Sequence, residues 1–277
     1  MRTAVCIVVR NEEQDIAEWM AFHAEAGFDA QLIFDNASTD RTADVVRAAG
    51  RLWDVRCHHW DRFDDKYQVD AYLTACRIHE QDFDWIAFID SDEYLVTTQP
   101  RPVGEFLAPF GSFAAVGVNW AMYGSNGHNT RPDGLLTEAF TRRSEASFFP
   151  NHHIKSVVQP KVVLDCKNPH WFVVDGGYCD TFGQPIRWYH ANGAEHRALS
   201  APVPDYSACR VNHYFTRSHD QWLAKVRRGY RDGIANRQAE DFCPYNRNEV
   251  LDPVATRWSS GVRERVELIR QAVARGV

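Results

Sequence analysis

The chain is poor in the features that would place it in many protein classes. Its seven cysteines (Cys6, Cys57, Cys76, Cys166, Cys179, Cys209 and Cys243) include no C-x-x-C pair. An odd, unpatterned set of this kind reads as reduced thiols. No apolar run reaches the roughly 18 residues a membrane span needs. The first strand begins almost at Met1, which leaves no room for a signal peptide. The expectation is therefore a cytoplasmic protein without a transmembrane segment. Internal repeats and low-complexity segments are absent too. Lys and Arg number 31 against 37 Asp and Glu, a net charge of −6, and this argues against nucleic acid as a partner. What is present is an apolar share of 44%, enough for a sizeable core, in 277 residues that fit one large α/β domain. Nine Trp suit either the stacking of sugar rings or the packing of a core.

Periodicity organises the first hundred residues. "TAVCIVV" (3–9), "AQLIFD" (30–35), "WDVRCHH" (53–59) and "WIAFID" (85–90) read as strands. Between them lie helical patterns: 11–27, with Asn11 as cap and Gly27 as stop; 36–50, with Ser38 or Asp40 as cap and Gly50 as stop; and 67–81. Strands alternating with helices predict a Rossmann-like, mostly parallel central sheet flanked by helices. Ligands of such sheets bind beyond the carboxyl ends of the strands. Three of those ends are polar here: Arg10-Asn11-Glu12, Asp35-Asn36 and Asp90-Ser91-Asp92. The second half is irregular. A strand over 113–124, a Gly- and Asn-rich loop over 125–134, a short helix over 135–143, a strand over 210–215 and a helix from Ser218 to Gly233 are expected. A last amphipathic helix follows Asp252-Pro253, with Val262, Val266, Ile269 and Val273 on one face. No linker is visible, so 1–277 reads as a single domain. It comprises a ligand-binding half (1–100), a half that closes the site (101–233) and a C-terminal helix (253–277).

The chemistry concentrates in "WIAFIDSDEYLV". Asp90 and Asp92 are two apart, and on an extended strand end such side chains point the same way. Two carboxylates so placed repel unless a cation lies between them, and hard cations such as Mg²⁺ or Mn²⁺ take oxygen ligands. An acidic turn is the bland reading, and the apolar strand leading into the rim outweighs it. Asp35 is balanced between a turn role and contact with a nucleobase. His213 in "VNHYF" is the candidate to complete a metal shell, with His170 in "NPHWF" as its rival. His128 on the loop is a candidate substrate contact. Glu138, an acid amid apolar residues in "LLTEAF", is a candidate general base. Lys155, Arg217, Lys225 and Arg228 are candidates to neutralise a diphosphate, although a solvated helix face is the default for the last two.

Together these stretches resemble a known family. "VVRNEEQDIAEWMAFHAEAGFDAQLIFDNASTDRT" and "QVDAYLTACRIHEQDFDWIAFIDSDEYL" look like family-2-like glycosyltransferases, and "YGSNGH", "KSVVQP", "VNHYFTRS" and "KVRRG" resemble the family 92 branch. The resemblance covers about Arg2 to Gly233. It implies a GT-A fold, a nucleotide-sugar donor (a UDP-hexose first), Mn²⁺ or Mg²⁺, and transfer with inversion to a glycan, a lipid-linked glycan or another hydroxyl, as in polysaccharide synthesis. On that pattern Val9, Asn11 and Glu12 line the nucleotide pocket and Asp35 lies near the base. Asp90 faces the ribose or metal, Asp92 and His213 bind the metal, and Glu138 is the catalytic base. The usual Glu-Asp pair of family-2 enzymes is missing, with only Glu138 and Glu145 in its place. Two rivals stand beside this reading. One is a carbohydrate- or nucleotide-binding protein without turnover. The other is a phosphotransferase with Asp90 as nucleophile, disfavoured because Glu93-Tyr94 follow the acids.

Overall fold

Buried β-branched runs build the centre of the molecule. The computed structural model describes residues 1–229 and 237–275. Its first half is a regular alternation: β1 (Thr3–Val9), α1 (Ile16–Glu25), β2 (Ala30–Asp35), α2 (Thr42–Ala49), β3 (Val55–His59), α3 (Tyr67–Ile78) and β4 (Trp85–Phe88). Adjacent strands β3-β2-β1-β4 are all parallel. The expected fold class is present. β5 (Glu93–Thr97) and β6 (Ala115–Met122) follow.

The second half widens the same sheet. The strand Ile154–Val158 is inserted antiparallel between β4 and β6. The strand Cys209–His213 runs parallel to β6 and antiparallel to β5. With Tyr178–Cys179 on β6 the sheet has nine strands, and most of its pairings are parallel. Two small hairpins, Val163–Val174 and Trp188–Ser200, stand off it.

Both faces of the sheet are covered, as an apolar parallel sheet requires. On one face α1, α2 and the C-terminal helix Ser259–Ala274 enclose Ile7, Trp19, Phe22 and Ile33. Val262, Val266 and Ile269 of that last helix are buried, and each contributes roughly 1.5–3 kcal/mol by leaving water. On the other face α3 contributes Ala71, Tyr72, Ala75 and Cys76 against Phe88 and Phe172. All seven cysteines are free thiols.

Several boundaries differ from expectation. Asn11 caps no helix: it sits at φ +54°, and α1 starts later, at Ile16. Its side-chain oxygen instead accepts the Thr39 N–H at 2.8 Å, tying two rim loops together. β5 is an unexpected strand: no element is expected over 93–97, and the acidic turn after β4 reverses the chain into it. The short helix in 135–143 spans only Leu136–Ala139. The helix expected to reach Gly233 ends at Arg228, where Gly229 takes φ +69°, and Gly233 lies outside the described residues. Its expected cap, Ser218, forms a capping box with Gln221. The last helix begins at Ser259, after a 3₁₀ turn over Val254–Trp258.

Candidate active site

The site lies where strand order reverses. β1 and β4 are neighbours, yet the chain leaves them toward opposite sides, and the crevice at their carboxyl ends is where such sheets take ligands. A cleft of about 660 Å³ opens there. Val8, Arg10, Asn11 and Glu12 come from the end of β1, Tyr67 and Gln68 from the start of α3, and Asp90, Ser91 and Asp92 from the end of β4. Trp120 of β6, Pro169-His170, His213-Phe215 and the end of helix His219–Arg228 form the opposite wall.

The acidic turn is held rigidly. The Trp19 indole N–H is shared by the carbonyls of Asp90 (3.1 Å) and Glu93 (3.0 Å). Glu93 is fully buried, and its carboxylate accepts the Asp90 backbone N–H at 2.7 Å. Burial pushes the Glu93 carboxyl up to about 8. Because β5 pairs with Cys209–His213, the pairing sets His213 opposite Glu93, and the Tyr214 N–H donates to the Asp92 carbonyl at 2.8 Å. A residue 121 positions away in the chain is thereby brought against Asp92, with Nε2 3.5 Å from Oδ1.

Each cleft acid has a basic partner. Lys155, 1% exposed, donates to Asp90 Oδ2 at 2.9 Å and lies 3.3 Å from Glu93 Oε2. Asp90 Oδ1 accepts from Gln68 Nε2 at 2.7 Å. Lys225 donates to Asp92 Oδ2 at 2.6 Å. Arg228 meets Glu12 at 3.1 Å. Burial alone would raise the Asp92 carboxyl, but Lys225 and His213 outweigh it and hold it well below the usual range. Burial likewise raises Asp90, and Lys155 reverses the sign.

The residues expected at the site separate into two groups. Asn11, Glu12, Asp90, Asp92 and His213 line the cleft, and so does His170. Lys155 stands directly behind Asp90. Lys225 and Arg228 line the cleft as well. Val9, Asp35, His128, Arg217 and Glu138 go elsewhere. Val9 is buried in the core, and its neighbour Val8 faces the cleft, since successive strand residues point to opposite sides. Asp35 does not line the cleft, and its carboxylate accepts the Ser38 N–H at 3.2 Å in a turn. His128 donates from Nε2 toward the Ala139 carbonyl at 3.3 Å, bracing its loop. Arg217 is buried against Asp15 at 2.5 Å and donates to the Ser91 carbonyl at 3.3 Å, so it braces the acidic turn from a smaller adjoining cavity. Glu138, the expected base, is ion-paired to Arg263 of the C-terminal helix and is not among the cleft residues. The default of a solvated face fails for Lys225, which is 7% exposed. Trp222, fully buried and three residues earlier, was the available signal, since i and i+3 share a helix face. Gln68 carried no comparable signal.

The donor set decides what a cation would meet. Among the described residues no group of three or more His, Cys, Asp or Glu converges as a metal-binding set. Asp90 is engaged by Lys155 and Gln68. Asp92 Oδ1 and His213 remain as a facing oxygen–nitrogen pair, and the Nδ1 of His213 is buried with no hydrogen-bond partner among the described residues. Two protein ligands suit a hard divalent ion that keeps water and takes its other oxygens from a substrate phosphate. The engaged oxygens of Asp90 also disfavour it as a phosphotransferase nucleophile.

The sequence model of glycosyltransferase family 92 matches residues 2–190. The chain belongs to this family. A family 92 protein of Ricinus communis, RCOM_0530710, is 24% identical over 288 residues, covering 94% of this chain and 45% of that protein. Another, At1g27200 of Arabidopsis thaliana, is 21% identical over 287 residues, covering 95% of this chain and 45% of that protein. The chain thus spans less than half the length of these curated relatives. Among solved structures, S. aureus TarS 1–349 in complex with UDP-GlcNAc aligns over 58% of this chain and 46% of its own, at 16% identity and a TM-score of 0.39. Glucosyl-3-phosphoglycerate synthase from Mycobacterium tuberculosis in complex with Mg²⁺ and UDP aligns over 43% of each chain, at 20% identity and a TM-score of 0.30. Among the described residues no helix is long and apolar enough to cross a membrane.

Proposed function

We propose that this family 92 chain transfers a hexose from a nucleotide-sugar, a UDP-sugar in the first instance, to a hydroxyl of a glycan or lipid-linked glycan. The observation that carries the reading is the pairing of Asp92 with His213 and Lys225 in the wall of the cleft. Transfer from a nucleoside diphosphate builds negative charge on the departing phosphate. Fixed cations aimed at that charge lower the barrier without a general acid. Lys225 and Arg228 supply such charges from this chain, and Mg²⁺ or Mn²⁺ held by Asp92 and His213 would supply Lewis-acid stabilisation of the diphosphate. Gln68, Asn11 and Glu12 border the side of the cleft on which the nucleoside would lie. Trp120, flanked by His213 at 4.3 Å and His170 at 5.0 Å between ring centres, offers an aromatic wall for a sugar.

Inversion is the stereochemical outcome this reading favours. A retaining, double-displacement route needs a free carboxylate as nucleophile. Asp90, Asp92 and Glu12 each sit in an ion pair. Direct attack by the acceptor hydroxyl on the face opposite the diphosphate needs no such group.

A panel of nucleotide-sugars assayed for nucleotide release with Mn²⁺, for the protein and for Asp92→Asn, tests the proposal. Release from one UDP-hexose is expected, falling roughly 100-fold or more in the variant, the order seen when one electrostatic stabiliser of a transition state is removed. No release from any donor, together with no nucleotide binding by calorimetry, would reject the transferase. Binding without release would favour the non-catalytic alternative.

A further inference from the structure

The lysines that hold Asp90 and Asp92 are not equivalent. Lys155 is enclosed by the sheet and bound to two acidic side chains, Asp90 and Glu93. Lys225 lines the open cleft. It is held by one carboxylate, Asp92 Oδ2 at 2.6 Å, and one neutral group, the Phe215 carbonyl at 2.6 Å. On its other side Asp92 faces His213. Asp92 is therefore claimed twice, at Oδ2 by the Lys225 ammonium and at Oδ1, together with His213, as a donor that suits a divalent cation. An Asp92–Lys225 pair has no net charge, so a bare cation meets little net negative charge there and a bare diphosphate little net positive. A cation and a diphosphate arriving together meet a partner each.

We propose that Lys225 is an exchangeable counter-ion: it occupies Asp92 until a metal–diphosphate binds, then leaves Asp92 to the cation and takes a phosphate oxygen. This rests on the reading of Asp92 and His213 as cation ligands. In the exchange an Nζ–H···Oδ2 hydrogen bond breaks and an Nζ–H···O–P hydrogen bond forms. No proton changes owner. Anchorage to Phe215 keeps the ammonium at the cleft while its partner changes, and Arg228, one turn further on the same helix face, marks the side from which phosphate would be met. Lys225 then makes the two ligands favour each other, and such coupling acts equally in both directions.

The experiment measures Mn²⁺ binding without nucleotide, by electron paramagnetic resonance of the free ion, and UDP binding by calorimetry. Lys225→Met is expected to bind Mn²⁺ alone about 10-fold more tightly than the unaltered protein, and UDP under saturating Mn²⁺ about 10-fold more weakly. Lys225→Arg, which keeps the charge, is expected to restore weak Mn²⁺ binding. A second variant works from the other side. Asp92→Asn releases Lys225, so UDP affinity in EDTA is expected to rise several-fold, roughly a kcal/mol or less on the affinity scale. Unchanged or weaker Mn²⁺ binding in Lys225→Met overturns the proposal, and so does UDP binding in EDTA that fails to tighten in Asp92→Asn. If Lys225→Met does not fold, as judged by circular dichroism, the Asp92→Asn measurement decides. Mn²⁺ binding to neither protein is a separate result, which rejects the cation site itself whatever UDP does. The Mn²⁺-only comparison also reads correctly if the donor nucleotide is not uridine.

Discussion

Asp90 and Asp92 are separated by one serine and serve different neighbours. Asp90 is turned toward the sheet, where Lys155 and Gln68 hold it, and Asp92 is turned toward the late strand and helix. Lys155 therefore acts as a structural cation between buried Glu93 and partly exposed Asp90. Lys155→Met is expected to cost ~1–3 kcal/mol, because it removes the buried ammonium that Asp90 and Glu93 share. Urea denaturation measures this, and adding Asp90→Asn in the same chain should recover part of the loss, a coupling that a double-mutant cycle isolates. The opposite is expected of Glu138. Its pair with Arg263 is partly solvated, so Glu138→Gln should cost at most ~1 kcal/mol and leave nucleotide-sugar turnover unchanged. A large fall in turnover would return Glu138 to the role of base. Asp90 and Asp92 were legible as a site because acids at the end of an apolar strand have no packing role. The mate of each was not legible, since Lys155 and Lys225 lie 65 and 133 positions away.

Helix α1 shows how an element is tuned to its surroundings. His23 is fully buried, with Nδ1 donating to the Trp19 carbonyl at 2.8 Å and Nε2 accepting the Leu95 N–H at 3.3 Å. Only the neutral ring with its proton on Nδ1 makes both bonds. Burial accordingly pulls its pKa down to about 3. In the unfolded chain His titrates near 6.5. Between those values the unfolded state binds the extra proton, so stability is full above about pH 6.5 and is lost as pH falls toward 3. Urea midpoints across about pH 7.5 to 4 should fall less steeply in His23→Gln than in the unaltered protein, although the variant is less stable by ~1–3 kcal/mol at neutral pH. Equal slopes would show that other groups carry the acid sensitivity. The first-half elements were readable because each has one dominant period. β5 was not, because a strand of five apolar-rich residues directly after another differs from a continuation only in the turn between them.

For the whole molecule, the decisive feature is that the late strand Cys209–His213 lies inside the sheet, between β6 and β5. The family match ends at residue 190, yet His213, Phe215 and Lys225 come later. A chain ended at residue 190 loses that strand and the C-terminal helix that covers α1 and α2. It is expected to show no cooperative thermal unfolding by circular dichroism and no nucleotide binding. A cooperative transition in that fragment would place the folding unit within the matched region.

By itself the sequence determined the alternating half of the sheet, the polar rim at its strand ends and the acids of "DSDE". These follow from local periodicity and from the lack of any packing use for clustered charge. Through the resemblance of "VNHYF" to the family it put His213 forward as a metal ligand, with His170 as its rival, and the strand pairing set His213 against Asp92. Only the tertiary structure decided that β5 reverses, that Lys155 and Lys225 occupy the two acids, and that Glu138, Asp35, Val9 and Arg217 face elsewhere. Those outcomes depend on pairing between distant strands, which sets the direction of each side chain and leaves no periodic trace in the chain.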